Sequence, residues 1–148
     1  MPSHIRGLVR ADDAEWLRMR CALWPEDSAA EHRAGMAEWL ARPDSVVFVA
    51  ARAGAGSLAG FVEVGTRAYA DGCNSSPVAY LEGWYVDPDR RRMGIGAALV
   101  RAAEEWARAR GLREFASDAL LDNLTSHRAH EALGFSEVER AVRYRKAL

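Results

Sequence analysis

Cysteine is scarce in this chain of 148 residues: there are two, Cys21 and Cys73. They form no CxxC pair, so reduced thiols are expected, not a disulfide framework or a redox motif. Four histidines are scattered. His127 and His130 could share a helix face, but "HRAHEALG" offers no third ligand and is not HExxH, so no metal is expected. The formal net charge is −1, without the basic excess of a nucleic-acid binder. No apolar run is long enough to span a bilayer. The start, "MPSHIRGLVRADD", lacks the apolar core of a signal peptide, and the cytoplasm is the expected compartment. Repeats, linkers and low-complexity tracts are lacking as well, so a single domain over 1–148 is expected.

What is present suits a soluble globular domain. Hydrophobic residues make up 49% and charged residues of both signs 28%. A strand-like piece opens the chain at "HIRGLV". Asp12 with Glu15 then has the spacing of a capping box, and Ala14, Leu17, Cys21 and Trp24 follow at helical spacing until Pro25. Ser28 with Glu31 predicts a second box, with Met36, Trp39 and Leu40 on the apolar face of the next helix. Two β-branched runs around the turn Ala53 to Ser57 predict a hairpin. Asp71 to Pro77 is a loop of turn formers, and "VAYLEGWYV", Val78 to Val86, is the clearest strand.

Ile95, Ala98, Leu99, Ala102 and Trp106 mark a long amphipathic helix stopped at Gly111. "REFASDA" reads as a strand, "NLTSHRAHEALG" as a helix closed by Gly134, and the tail "FSEVERAVRYRKA" as a last strand. The predicted order is β-α-α-β-β-β-α-β-α-β, a mixed α/β fold.

Between the clearest strand and the long helix lies "VDPDRRRMGIGAALV". A helix start leaves N–H groups unpaired, and these and the helix dipole favour a phosphate. Gly94 and Gly96 let an anion approach, and Arg90, Arg91 and Arg92 add charged donors. A Walker A sequence is absent, and Leu99 stands where a dinucleotide fingerprint needs its third glycine. Arg91, Arg92, Met93, Gly94, Ile95 and Gly96 fit a pyrophosphate turn of the form [QR]-x-x-G-x-[GA]. An ordinary basic strand-to-helix turn is the alternative.

The strand, "VDP", the arginine turn and the helix together resemble the coenzyme motif of the GNAT superfamily of N-acetyltransferases. "DNLTSHRAHEALGF" resembles that superfamily's next motif, with Asn123, Ser126, Gly134 and Phe135 in register. "CALWPED", "AYADGCNSSPVAYLEGWYV", "REFASDA", "HEALGF" and "YRK" narrow the resemblance to aminoglycoside 6′-N-acetyltransferases. The resemblance implies a central mixed, mostly antiparallel twisted sheet flanked by helices, with strands splayed at the acetyl-CoA site. It implies acetyl-CoA as co-substrate, an aminoglycoside antibiotic as acceptor, direct attack of the amine in a ternary complex, a role in antibiotic resistance, and a homodimer.

Residue by residue, the resemblance assigns coenzyme contacts to Arg91 through Gly96, to Asn123, and to the backbone of Trp84, Tyr85 and Val86. A bulge at Gly83, which interrupts the strand's alternation, would open the sheet there. Glu82 and Asp118 are the expected catalytic carboxylates, with Asp118 first choice as general base. With Trp24, Tyr69 and Glu139 they would bind the acceptor. Glu82 could instead pair with an arginine, Asp118 could cap a strand end, and Asn123 could be an N-cap. Where many members of the superfamily place a tyrosine as general acid, this chain has His130. Two rival functions share these features: acetylation of another amine, such as a polyamine, an amino sugar or a protein N-terminus, and a non-catalytic acyl-CoA-binding module.

Overall fold

Strand-forming runs pair in chain order to build one sheet. A computed structural model describes residues 3–54 and 56–148. Strand β1 (His4–Gly7) is followed by a single 3₁₀ turn (Arg10–Asp12), helix α1 (Asp13–Leu23) and helix α2 (Ala29–Ala41). The hairpin β2 (Val46–Ala51) and β3 (Leu58–Arg67) comes next, then β4 (Val78–Val86) and helix α3 (Ile95–Ala109). Short β5 (Phe115–Ser117) and helix α4 (Leu124–Ala132) complete the set. The sheet order is β1-β2-β3-β4-β5. All neighbours are antiparallel except β4 and β5, which run parallel. Of the hairpin turn predicted at Ala53 to Ser57, Ala55 lies outside the described residues.

The sheet carries a core on each face. Trp16, Met19, Met36 and Trp39 of α1 and α2 pack on Val47, Val49, Phe61 and Tyr85. On the other face, Ile95, Leu99, Val100 and Ala103 of α3 cover Val62, Val64 and Leu81. Burial on both faces explains why β3 reads as an unbroken buried run.

Several local expectations are corrected. Asp12 does not cap α1; its carboxylate receives Arg6 at 2.7 and 3.0 Å and the Val9 N–H at 2.9 Å. Glu15 instead receives the Leu58 N–H and Arg18. The face that α1 buries fully is Trp16 and Met19, because the indole reaches a buried partner, Glu63; of the predicted face Leu17 and Trp24 pack partly buried against that core, and Ala14 is exposed. Leu40 is exposed. The Ser28–Glu31 box does form. Both thiols are free.

The C-terminal strand is absent: residues 136–148 are exposed and carry no strand. Their alternation marks a segment able to pair, but β5 pairs only with β4, and no strand of the sheet lies alongside the tail.

Asp87, at the end of β4, ties the two layers together. It accepts two bonds of 3.0 Å from Arg18 on α1 and one of 2.9 Å from Arg52 beyond β2. Burial pushes its carboxyl up, but the two guanidiniums outweigh this and hold it below the usual range. A carboxylate depressed in the folded state contributes stability that is complete above the unfolded pKa of about 4 and fades as pH falls through the folded value. Asp87→Asn should therefore lower unfolding free energy by about 1–3 kcal/mol at pH 7. In urea titrations the gap to wild type should narrow below about pH 4, as the wild-type carboxylate is also neutralised there. A gap that does not change with pH would contradict the charged-pair account.

Candidate active site

The turn that opens α3 is shaped by two left-handed residues. Arg92 has φ 63° and Gly94, the N-cap of α3, has φ 81°. Such values suit glycine and strain arginine. The first helical bond is from the Ala98 N–H to Gly94 O, so the N–H groups of Ile95, Gly96 and Ala97 have no acceptor within the helix. Met93 and the side chains of Arg91 and Arg92 are exposed around them, and neither arginine has a carboxylate partner among the described residues. Arg91 Nε donates to Val86 O at 2.9 Å, which ties the turn to β4. The Trp84 indole N–H donates to Gly96 O at 3.2 Å, and a Cβ at Gly96 would lie 3.3 Å from that nitrogen. The result is a row of backbone donors at a helix N-terminus flanked by guanidiniums without a carboxylate partner among the described residues, which suits a diphosphate.

Beside this turn the sheet opens. Parallel pairing of β4 and β5 runs from Ala79 with Phe115 to Leu81 with Ser117 and stops. The bulge falls one residue from the expected place: Glu63 pairs Gly83 and Val64 pairs Leu81, which leaves Glu82 as the extra residue. Beyond it Glu82 to Val86 have no strand on the β5 side among the described residues. The Asp87 N–H bonds Ala59 O, so the antiparallel ladder turns Tyr85 towards Phe61 and leaves backbone groups of Trp84 and Val86 facing the opening. Their side chains are structural. Tyr85 packs in the α1 core, while Trp84 and Val86 pack against the α3 core.

Acidic groups gather on the other flank. Glu82, half-buried, is held through both oxygens by Arg67, at 2.7 and 3.0 Å. The Arg67 guanidinium carbon lies 3.5 Å from the centroid of the Tyr80 ring. The Tyr80 hydroxyl donates to Asp118 Oδ2 at 2.6 Å. Burial and this carboxylate push the Tyr80 phenol up, so it stays a donor. Asp118 is exposed, and among the described residues no protein donor reaches its Oδ1. A carboxylate with one oxygen fixed and one free can accept a proton from a bound molecule or a water.

The remaining predicted acceptor residues form other groups. Trp24 lies against Gly83, where a Cβ would come within 2.9 Å of its indole edge, and it stacks on His32. Glycine here makes room for the indole. Tyr69 is 70% exposed and donates to Asp71 at 3.0 Å. Glu139 is near enough to help raise the Tyr69 phenol, after the larger effect of Asp71. Among the described residues no hydrogen bond or ion pair joins Tyr69 and Glu139 to Glu82 and Asp118. Asn123 is an N-cap, its side chain accepting the Ser126 N–H at 3.1 Å.

His130 lies edge-on to Trp84 with ring centroids 5.3 Å apart. Its Nδ1 is 2.7 Å from Ser126 O, which can only accept, so Nδ1 carries the proton. Nε2 lies 2.7 Å from Ser117 Oγ, and in the neutral ring it accepts from that hydroxyl. Both ring nitrogens are committed. Arg67, Tyr80 and Ser117 were not predicted for the site. Arg67 was legible in principle, since an antiparallel β3–β4 pair brings its strand beside Glu82; Ser117 carried no signal of its own.

Residues 11–135 match the acetyltransferase (GNAT) family. The aminoglycoside N(6')-acetyltransferase type 1 of Klebsiella aerogenes is 49% identical over 148 residues, covering 97% of this chain and 96% of that protein. Among solved structures, the aminoglycoside 6'-N-acetyltransferase AAC(6')-Ih of Acinetobacter baumannii is 37% identical, with a TM-score of 0.91 over 99% of each chain. AAC(6')-Iy, solved with the bisubstrate analogue CoA-S-monomethyl-acetylneamine, is 36% identical, with a TM-score of 0.91 over 100% of both chains. The phosphate-suited turn, the opened sheet and these likenesses along nearly the whole chain lead to one conclusion: this chain belongs to the acetyltransferase (GNAT) family.

Proposed function

We propose that this enzyme transfers the acetyl group of acetyl-CoA to the 6′-amine of an aminoglycoside antibiotic, by direct attack of the amine in a ternary complex. The observation that carries this reading is the opening after Leu81 and Ser117, with an anion-suited turn on one flank and an acidic cluster on the other. The turn from Arg91 to Gly96 would hold the pyrophosphate, and the backbone groups of the Trp84 to Val86 stretch that face the opening would hold the pantetheine and acetyl groups. An aminoglycoside carries several ammonium groups, which suit Glu82, Asp118 and Glu139, and Trp24 and Tyr69 would add aromatic contacts. The relatives named aminoglycoside acetyltransferases support the choice of acceptor.

A primary amine has a reference pKa of about 10 and arrives protonated. Asp118 Oδ1 takes one proton, directly or through a water, and Tyr80 keeps Oδ2 in place. The neutral nitrogen attacks the thioester carbonyl carbon; the N–C bond forms, the C–S bond breaks, the nitrogen gives up its second proton to solvent, and the sulfur leaves as thiolate. His130, with both nitrogens committed, is not the donor to that sulfur. Thiols have a reference pKa of about 8.5, so the thiolate is a tolerable leaving group that solvent can protonate. Acetylation removes a cation from the antibiotic, which weakens its hold on ribosomal RNA phosphates and would confer resistance.

A homodimer in the cytoplasm completes the reading. The exposed tail, with Val138, Val142 and Tyr144 uncovered, supports association, and the two free thiols suit a reducing compartment. No helix among the described residues is long and apolar enough to cross a membrane. Sedimentation should give twice the chain mass for the full protein and a lighter species once residues 136–148 are removed. An unchanged dimer after truncation would move the interface elsewhere.

Coenzyme binding at the turn is tested by Gly96→Asp. The substitution adds a negative charge and puts a Cβ against the Trp84 indole. Acetyl-CoA should raise the melting temperature of wild type by mass action and that of the variant far less. An equal rise in both proteins places the coenzyme elsewhere.

The acceptor and the base are tested together. Initial rates should favour kanamycin-type aminoglycosides over a polyamine or a peptide amine by more than about tenfold in kcat/KM. For the preferred acceptor, Asp118→Asn should cut kcat by about 10²–10⁴-fold at neutral pH. Raising pH should restore part of that loss, because more amine is then already neutral. A near-normal kcat in the variant would remove Asp118 as base, and a loss with no recovery at high pH would make it a positioning group.

A further inference from the structure

Arg67 is the last residue of β3 and stands opposite Val78. Its guanidinium lies across the acidic pocket. Nε and Nη2 engage both oxygens of Glu82, and the plane covers the Tyr80 ring at 3.5 Å. The hydroxyl of that ring holds Asp118. Glu82 and Asp118 both act on Arg67 through space and help raise it, after the larger effect of its hydrogen bond to Glu82. A cation of this chain thus already occupies what a cationic acceptor would use, a carboxylate beside an aromatic face.

The pair is also built to open. Arg67 is 43% exposed and Glu82 21%, whereas Asp87, in the other arginine cluster, is 8% exposed. Exposed pairs are weak and pay side-chain entropy for one geometry, so an incoming charge of the same sign can compete.

We propose that Arg67 is an internal competitor that occupies Glu82 until an acceptor supplies a second ammonium group to displace it. The proposal rests on the reading of Glu82 as an acceptor-binding residue. Its consequence is selectivity. An acceptor with one amine commits its only charge to the reacting position at Asp118 and has nothing to exchange for Arg67. An acceptor with several amines can react through one and hold Glu82 with another.

The test compares wild type with Arg67→Met, Arg67→Lys, Glu82→Gln and the double variant Arg67→Met with Glu82→Gln. Saturating acetyl-CoA is used throughout. The probes are a kanamycin-type aminoglycoside, read by KM and kcat, and a singly charged amino sugar, read by its inhibition constant as a competitor. Methionine keeps length and apolar cover over Tyr80 without charge; lysine keeps the charge. Arg67→Met should lower the aminoglycoside KM by about two- to fivefold, with kcat and the amino-sugar constant unchanged. Arg67→Lys should stay near wild type, and in the Glu82→Gln background the methionine change should no longer lower KM.

If Glu82→Gln leaves the aminoglycoside KM unchanged, the acceptor-site reading itself fails. If Glu82→Gln raises KM while Arg67→Met raises it or leaves it alone, that reading stands and the internal competitor is overturned. An equal gain for the singly charged sugar would show a general field effect and overturn displacement as well. Should the methionine variant melt far below wild type, the lysine variant decides. A lysine KM below wild type by as much as the full loss of charge would give overturns the proposal.

Discussion

Parallel pairing between β4 and β5 lasts three residues, and the rest of the site follows from where it ends. A buried strand that loses its neighbour exposes N–H and C=O groups that need partners. In an ordinary sheet this is a fault; here it supplies a polar backbone edge for an extended ligand. The bulge at Glu82 does more than end the pairing. It shifts the phase of β4, so that Leu81 before it and Trp84 after it, three residues apart, both pack on the α3 side. Without the extra residue they would face opposite layers. The shift lets the Trp84 indole reach Gly96 O, and it turns Tyr85 into the α1 core. One inserted residue therefore presents Glu82 to Arg67 and braces the turn that opens α3.

Charge is sorted along the same line. Around the α3 turn Arg91 and Arg92 have no carboxylate partner among the described residues, while the nearby acids Asp87 and Asp89 are neutralised by Arg18 and Arg52. The turn is thereby left positive without general basicity in the chain. Around Tyr80 the pattern inverts, with more carboxylate than cation. A near-neutral protein can thus present a positive and a negative field side by side, because local pairing, and not net charge, sets each field.

Much of this was legible in the sequence. The strand Val78–Val86 and the helix beginning at Ile95 were bounded correctly, because strong β-branched and aromatic content, Asp87–Pro88 and a glycine pair punctuate them. The arginine turn was legible for the same reason: its donors are backbone groups fixed by local geometry. What depended on tertiary partners was not. The burial of Trp16 over Leu17 is decided by a carboxylate 47 positions away. The tail's alternation stated a capacity to pair and could not state with what. Glu82 was seen as a pocket residue or an arginine partner, and it is paired with Arg67; the sequence could not choose because both roles need the same half-buried carboxylate.

The group that most resists explanation by hydrophobic patterning is Glu63, 1% exposed in the middle of β3 and in register with Gly83. Burial pushes its carboxyl up, while Arg20 and the Trp16 indole oppose this. The Trp16 N–H bonds it at 3.0 Å, and Arg20 Nε lies 3.4 Å away without hydrogen-bond geometry, so the neutralisation is incomplete. Such an arrangement stabilises less than an apolar core would. Its value is positional. Arg20 bridges Glu63 to the face of Trp24, 5.0 Å from the ring, and Trp24 fills the space left by Gly83 beside the bulge. A purely apolar contact would let α1 slide along the sheet at little energetic cost, since dispersion is not directional. A buried carboxylate with one hydrogen-bond donor and one ion-pair partner on α1 fixes the register of that helix against β3. With that register fixed, Trp24 at the end of α1 is held against the one point of β4 where the alternation changes.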